Sequence, residues 1–169
     1  EAILAGECLT GVPREVVEAW GDLFPSEKDE RPGKFLLYCD PLYPTVIFLF
    51  FYDMDKLIAR SAAAVETMKP YRETMPECRY ASLLFETLIK KGGMIRQIRE
   101  RYLAGDKDWL KRQAEETIPE LIGLYDALMC AHRALWERDN RRFGWEVLAL
   151  RYGAVSGRLA DVQDEISRY

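Results

Sequence analysis

From residue 148 onward the apolar side chains recur with helical spacing: Leu148, Tyr152, Val155, Leu159, Val162 and Ile166 step by 4, 3, 4, 3 and 4. Side chains at that spacing share one stripe of an α-helix, because 3.6 residues complete a turn. Such a stripe must be covered by another element, so the pattern demands partners. The chain supplies them. Met54, Ile58, Ser61, Val65 and Met68 form a second stripe, and Tyr80, Leu84, Leu88, Ile95, Ile98 and Tyr102 a third, crossed by Gly92-Gly93. Leu110, Ala114, Thr117, Leu121, Leu124, Leu128 and Leu135 form a fourth. Gly105 is placed to end one helix and Asp106 to cap the next. The expected helices are 53–68, 76–104, 106–138 and 143–168. Pro119 removes one i→i−4 hydrogen bond and is expected to kink or tighten the third. The expected fold class is all-α: an up-down bundle of about four long helices after an irregular N-terminal segment.

That N-terminal segment is marked by proline, which ends helices and punctuates loops. Prolines stand at 13, 25, 32, 41, 44 and 70, whereas only Pro119 follows Pro76. Residues 12–20 are expected to make a short helix with Thr10 as cap and Pro13 in its first turn. Residues 25–33 read as a polar linker. Residues 35–38 and 45–52 are apolar and aromatic, and periodicity leaves them open between short strands and buried extended segments. The expected division is a connecting segment, 1–45, with one short helix, and a helical bundle domain, 46–169.

Charge and composition exclude several classes. The 24 Lys and Arg against 28 Asp and Glu give a net charge of -4, so the basic footprint of a nucleic-acid binder is missing. Residues 1–45 carry 4 basic and 9 acidic side chains, and the remainder 20 and 19, so the acidity belongs to the entry segment. Cys8, Cys39, Cys78 and Cys130 lie too far apart for a zinc motif and are expected to be reduced and mostly buried. The longest apolar run, 46–52, falls far short of the roughly 20 residues that cross a bilayer, so no membrane span is expected. The sequence opens at Glu1 inside what already reads as folded protein, which suggests a piece of a longer chain. No signal peptide is visible, and with the reduced-cysteine pattern this leans cytoplasmic.

Chemistry is sparse. His132 is the single histidine, and Met129 stands three residues before it, so the Glu-x-x-His pairs of a di-iron bundle are absent. His132 alone could serve as a general base, but on a helix, one turn from Leu128 and Trp136, it reads as a partly buried, hydrogen-bonded residue. Gly92-Gly93 follows Lys90-Lys91 rather than a strand and reads as a close helix contact or local break, not a phosphate cradle. Asp29-Glu30 and Glu115-Glu116 read as solvated charges. No catalytic residue, metal ligand set or cofactor is expected in this chain. What stands out is a turn: His132-Arg133-Ala134-Leu135-Trp136, then Asp139-Asn140-Arg141-Arg142, then Phe143-Gly144-Trp145-Glu146-Val147. Arginine beside tryptophan is the composition of a contact hot spot. The same rings could instead buttress the turn beneath the helix ends.

This stretch resembles the end of the C-terminal helical domain found in one subgroup of glycoside hydrolase family 20, the exo-acting β-N-acetylhexosaminidases. The resemblance rests on Phe143-Gly144-Trp145-Glu146-Val147 and Arg151-Tyr152-Gly153, with His132-Arg133 and Leu135-Trp136 before them. Lys34-Phe35-Leu36-Leu37-Tyr38, Asp40-Pro41-Leu42 and Thr10-Gly11 extend it over nearly the whole chain. Arg141-Arg142 stands where the family has Lys-Pro, which makes the turn less rigid, and residues 45–52 agree least.

The resemblance implies a parent enzyme that removes terminal β-linked N-acetylglucosamine or N-acetylgalactosamine. Its mechanism would be substrate-assisted, on an Asp-Glu pair in a barrel N-terminal to this region. A barrel needs about 250 residues and an alternating strand-helix pattern, neither present here. The expected role is therefore a non-catalytic accessory domain. It would pack on the catalytic barrel of the same chain, with a possible homodimer, and itself be inactive. The alternatives are a stand-alone helical protein-interaction module and a small enzyme working through His132. Candidate interface or substrate-rim residues are Trp136, Phe143 and Trp145, with Arg141, Arg142 and Glu146 at the polar rim. The apolar run 46–52 is expected to share that surface.

Overall fold

The computed structural model describes residues 11–21, 32–43 and 53–169. Every regular element among them is helical: α1 (Arg14–Gly21), α2 (Pro32–Tyr38), α3 (Met54–Met68), α4 (Pro76–Leu103), α5 (Lys107–Arg112), α6 (Ile118–Asp139) and α7 (Trp145–Ser167). A 3-10 turn, Lys69–Tyr71, follows α3, and a π-helical turn, Gln113–Thr117, joins α5 to α6. α3 packs on α4, α4 on α6 and α6 on α7, the first and last pairs joined by short turns and the middle pair through α5 and the π turn, which gives the all-α up-down arrangement. α1 lies on α3, and α2 sits between α4 and α7. Residues 45–52, Asp29-Glu30, Cys8 and Thr10 lie outside the described residues.

The ends of the long helices follow from local chemistry. The Asp53 carboxylate accepts from Lys56 N at 3.0 Å, and Asp106 accepts from Trp109 N at 3.1 Å. Each satisfies one of the amides that a helix start leaves unpaired. Gly105 takes φ +67° after α4, the left-handed conformation a helix terminator needs. α1 begins after Pro13, whose carbonyl accepts from Val16 and Val17 N.

The α7 stripe is buried as its spacing demands. Tyr152, Val155, Leu159 and Val162 are in the core, with Leu148 and Ile166 packed at its edge. α4 is buried more widely than one stripe. Cys78, Ala81, Ser82, Leu83, Phe85, Thr87, Lys91 and Met94 join Leu84, Leu88, Ile95 and Ile98, because α2, α3 and α6 cover it from different sides. Tyr102, past that cover, is exposed. The helix runs unbroken through Gly92-Gly93. A Cβ on Gly92 would lie 3.0 Å from Met54 Sδ and 3.3 Å from Leu36 Cδ2, so glycine there lets α2 and α3 close on α4. Gly93 faces open space.

Three expectations are corrected. Pro119 does not tighten the third helix; it follows a π turn, the wider alternative. Ile118 N reaches back five residues to Gln113 O, and the looser loop accommodates a ring that would otherwise crowd the preceding turn. The extra residue rotates the buried stripe to Ala114, Ile118, Leu121, Tyr125 and Leu128, leaving Thr117, Leu124 and Leu135 half-buried. Residues 35–38 are neither strand nor extended but the end of α2. The cysteines are less uniformly hidden than expected: Cys78 is buried, Cys39 half-buried and Cys130 exposed on the solvent face of α6, all three with free thiols. No described helix is long and apolar enough to cross a membrane.

Seven residues are too few for a helix to persist alone, so α2 depends on what it docks against. Leu36 and Leu37 enter the core, and the carbonyls at its end meet a buried cation. Lys91 Nζ donates to Leu37 O at 3.0 Å and to Cys39 O at 2.7 Å. It lies 3.2 Å from the Tyr125 hydroxyl, which donates to Leu37 O at 2.5 Å. Burial pushes the Lys91 ammonium down to about 8. An unfolded lysine keeps its proton to about 10.4. Between these values the unfolded chain binds more protons, so raising the pH favours the fold. In a background with Cys39→Ser and Cys78→Ser, which removes two thiols that burial pushes up and that act in the opposite sense, stability against urea should rise between about pH 8 and 9.5. Adding Lys91→Met should abolish that rise and cost about 2 kcal/mol or more at pH 7, where Cys39 O loses its donor. Parallel pH curves for the two proteins would show that Lys91 is not the titrating group.

Candidate docking face at the turn between α6 and α7

The turn between the last two helices is built from its own aromatic residues. Asn140 N reaches Trp136 O at 2.8 Å and ends α6, and Trp145 N reaches Arg142 O at 3.2 Å. The Trp136 indole donates to Arg141 O at 2.9 Å. Gly144 then adopts φ +96°, with the place of its missing Cβ 3.3 Å from the Trp136 ring. Only glycine enters that conformation without strain, and here it also lets the ring lie against the backbone. The Glu146 carboxylate accepts from Gly144 N at 2.8 Å.

Inward from the turn runs a series of rings. Trp136 and Trp145 have centroids 6.3 Å apart, and Trp145 meets His132 edge-on at 5.5 Å. His132 packs against Tyr80 at 4.8 Å, and Tyr80 against Trp20 of α1 at 5.9 Å. His132 Nδ1 lies 3.0 Å from the Tyr152 hydroxyl, and the Tyr152 ring meets Tyr38 of α2 at 6.1 Å. Burial holds the His132 imidazole below its usual value and pushes the Tyr80 phenol up to about 12. The cluster is thus a set of neutral hydrogen-bonding rings. Among the described residues His132 bonds the Tyr152 hydroxyl and no carboxylate. Arg138 closes the end of α6 onto α4 through Glu77 at 2.6 Å, while also bonding Asp139 at 2.7 Å.

The six residues singled out in the sequence separate into two groups. Trp136, Trp145 and Glu146 hold the turn together. Arg141, Arg142 and Phe143 face solvent. Phe143 is 88% exposed, and Arg142 has only a 3.9 Å approach to Glu137. Sequence reasoning missed the two residues that continue the outer surface, Val147 and Leu150, 49% and 74% exposed. Both lie on α7 off its core stripe, a position readable from the helical spacing, while Phe143 stands in the turn just before the helix. The groups expected to stay solvated are so among the described residues: Glu115 and Glu116 are exposed on the π turn. Among the described residues no three His, Cys, Asp or Glu side chains converge on a metal-sized site.

A family model described as the Glycoside Hydrolase 20C C-terminal domain matches residues 22–169, which includes the turn, both helices flanking it and all of α2 to α5. The chain belongs to this family. It is an accessory domain of family 20 glycoside hydrolases, and membership implies a catalytic domain in the parent protein. Among curated proteins, none matches the chain. In this glycoside hydrolase 20C domain the Phe-Gly-Trp-Glu segment is a structural turn whose outer surface stays open. Gly144→Ala should cost about 1–2 kcal/mol, since it places a Cβ at positive φ and against Trp136. Trp136→Phe should cost about 1 kcal/mol through the lost bond to Arg141 O. Urea midpoints measure both, and a neutral Gly144→Ala would mean that the turn relaxes freely.

Proposed function

We propose that this chain is the part of an exo-β-N-acetylhexosaminidase that packs on its catalytic barrel through the α6–α7 turn. The barrel would remove terminal β-linked N-acetylglucosamine or N-acetylgalactosamine, and this domain would be inactive by itself. The observation that carries the reading is the bare strip of Phe143, Val147 and Leu150 beside a turn braced by rings down to the core. Burying one large apolar side chain is worth about 1.5–3 kcal/mol, so three left in water on a rigid support favour a partner surface. Arg141, with no ion pair among the described residues, and Arg142, held only by a 3.9 Å pair with Glu137, would border the contact and reach acidic groups on the barrel or on a second copy of the enzyme. Trp136 and Trp145 act mainly as the support behind Phe143, and Glu146 as the clamp on the turn.

The test uses the parent enzyme with Phe143→Asp and Leu150→Asp together. Both side chains face water in this domain, so the isolated chain should keep its stability to within about 0.5 kcal/mol per site. The full-length enzyme should lose thermal cooperativity between its domains, dissociate if it is a dimer, and lose hexosaminidase turnover. Unchanged turnover, melting and sedimentation in the double variant would remove this face as the contact. If the isolated chain instead captures a separate protein and never a family 20 catalytic domain, it is an independent interaction module.

A further inference from the structure

A second surface, on the side of the bundle away from the α6–α7 turn, carries its own chemistry. A groove of about 560 Å³ runs between α4 and the α5–π-turn–α6 segment. It is shallow and largely open to solvent. Trp109, half-buried, lines it; its ring meets no other aromatic ring and its indole N–H donates to no protein group among the described residues. Gln113 lines it too. That residue is 8% exposed, yet its amide has no hydrogen-bond partner among the described residues. It is not sealed either, since the unpartnered polar atoms wholly shut from solvent are the hydroxyls of Ser61 and Ser82. The amide therefore opens into the groove. An amide that bonds only water at the edge of a groove is free to exchange that water for a ligand.

The π turn is what places this group. It begins at Gln113 and ends at Thr117, so its wider loop sets the amide and the Thr117 hydroxyl along one wall. Ala114 O, next to them, is held by Gln163 of α7 at 2.8 Å. Such turns recur at functional sites because they re-aim side chains out of the regular helical register. Across the groove Gln97 makes only a 3.5 Å approach to Gly93 O, which leaves its amide oxygen free. The charged residues at the edges are already neutralised: Lys90 by Glu120 and Glu86 by Arg72. The site thus offers one aromatic face, amide and hydroxyl groups, and no free charge. A flat neutral ligand with an apolar face and a hydroxylated edge suits that set.

We propose that this groove is a saccharide subsite, in which Trp109 packs against a pyranose ring and Gln97, Gln113 and Thr117 hydrogen-bond its hydroxyl or acetamido substituents. The choice of an N-acetylhexosamine as first probe rests on the reading of the parent as a hexosaminidase; the groove itself does not. It shares no residue with the docking face, and it would hold one sugar of a glycan.

The experiment titrates the full 169-residue chain, labelled with ¹⁵N, with N,N′-diacetylchitobiose and separately with cellobiose and lactose. At least one sugar should shift the Trp109 indole signal and the Gln97 and Gln113 side-chain amides in a saturable way. Trp109→Ala should weaken binding tenfold or more. Gly93→Leu should do the same without a folding defect. A Cβ on Gly93 meets nothing within 4 Å, so leucine projects into the groove, and it is a better helix former than glycine. No saturable shift with any of the three sugars overturns the proposal. So does binding that survives Gly93→Leu, or shifts confined to Trp136 and Trp145. These failures leave the docking reading intact, because Phe143 and Leu150 take no part in the groove.

Discussion

A cation in a protein core needs every proton accounted for, and Lys91 is satisfied without a carboxylate in direct contact. Its ammonium donates to Leu37 O, Cys39 O and the Tyr125 hydroxyl, which come from the end of α2 and the middle of α6. The arrangement fixes two elements, α2 and α6, against α4 at one point. It also takes up carbonyls that a helix end leaves without partners. Without it, a seven-residue helix would have little reason to form. The neighbouring Gly92 allows the approach, since any larger residue would meet Met54 and Leu36. α7 then closes over α2, with Arg158 bonded to Asp40 at 2.7 Å and Tyr152 against Tyr38.

The same logic extends to the α6–α7 turn. Trp145 leans on His132, His132 on Tyr80 and Tyr152, and Tyr152 on Tyr38, so the turn is tied by ring contacts to the region around Lys91. No proline stiffens the turn at Arg141-Arg142. Here stiffness comes from the Trp136 indole on Arg141 O and from Glu146 on Gly144 N. A rigid turn matters for docking, because side chains already held in place lose less entropy when a partner covers them.

The candidate site was partly legible in the sequence. Tryptophan, arginine and phenylalanine at one turn identified the place, and the resemblance identified the family. Which rings point outward was not legible, because composition does not orient a side chain. Trp136 and Trp145 turned inward since their rings had hydrogen-bonding and aromatic partners below, while Phe143, with none within reach, stayed in water. The groove at Trp109 was hidden for a related reason. Gln113 stands out only once the fold sets its amide at the groove edge with no protein partner among the described residues.

What the sequence determined by itself is the helical bundle. Apolar spacing, Asp53 and Asp106 as caps and Gly105 as a stop are local signals, and local hydrogen bonding and periodicity decide them. The tertiary structure decided the rest. Residues 35–38 became helical because Lys91 and Tyr125 met their carbonyls, contacts 54 and 88 residues away in sequence. The segment before Pro119 widened into a π turn because α7 and the core accepted the rotated stripe, with Gln163 bonding Ala114 O. In both places the local sequence permits more than one backbone, and long-range packing and hydrogen bonds select among them.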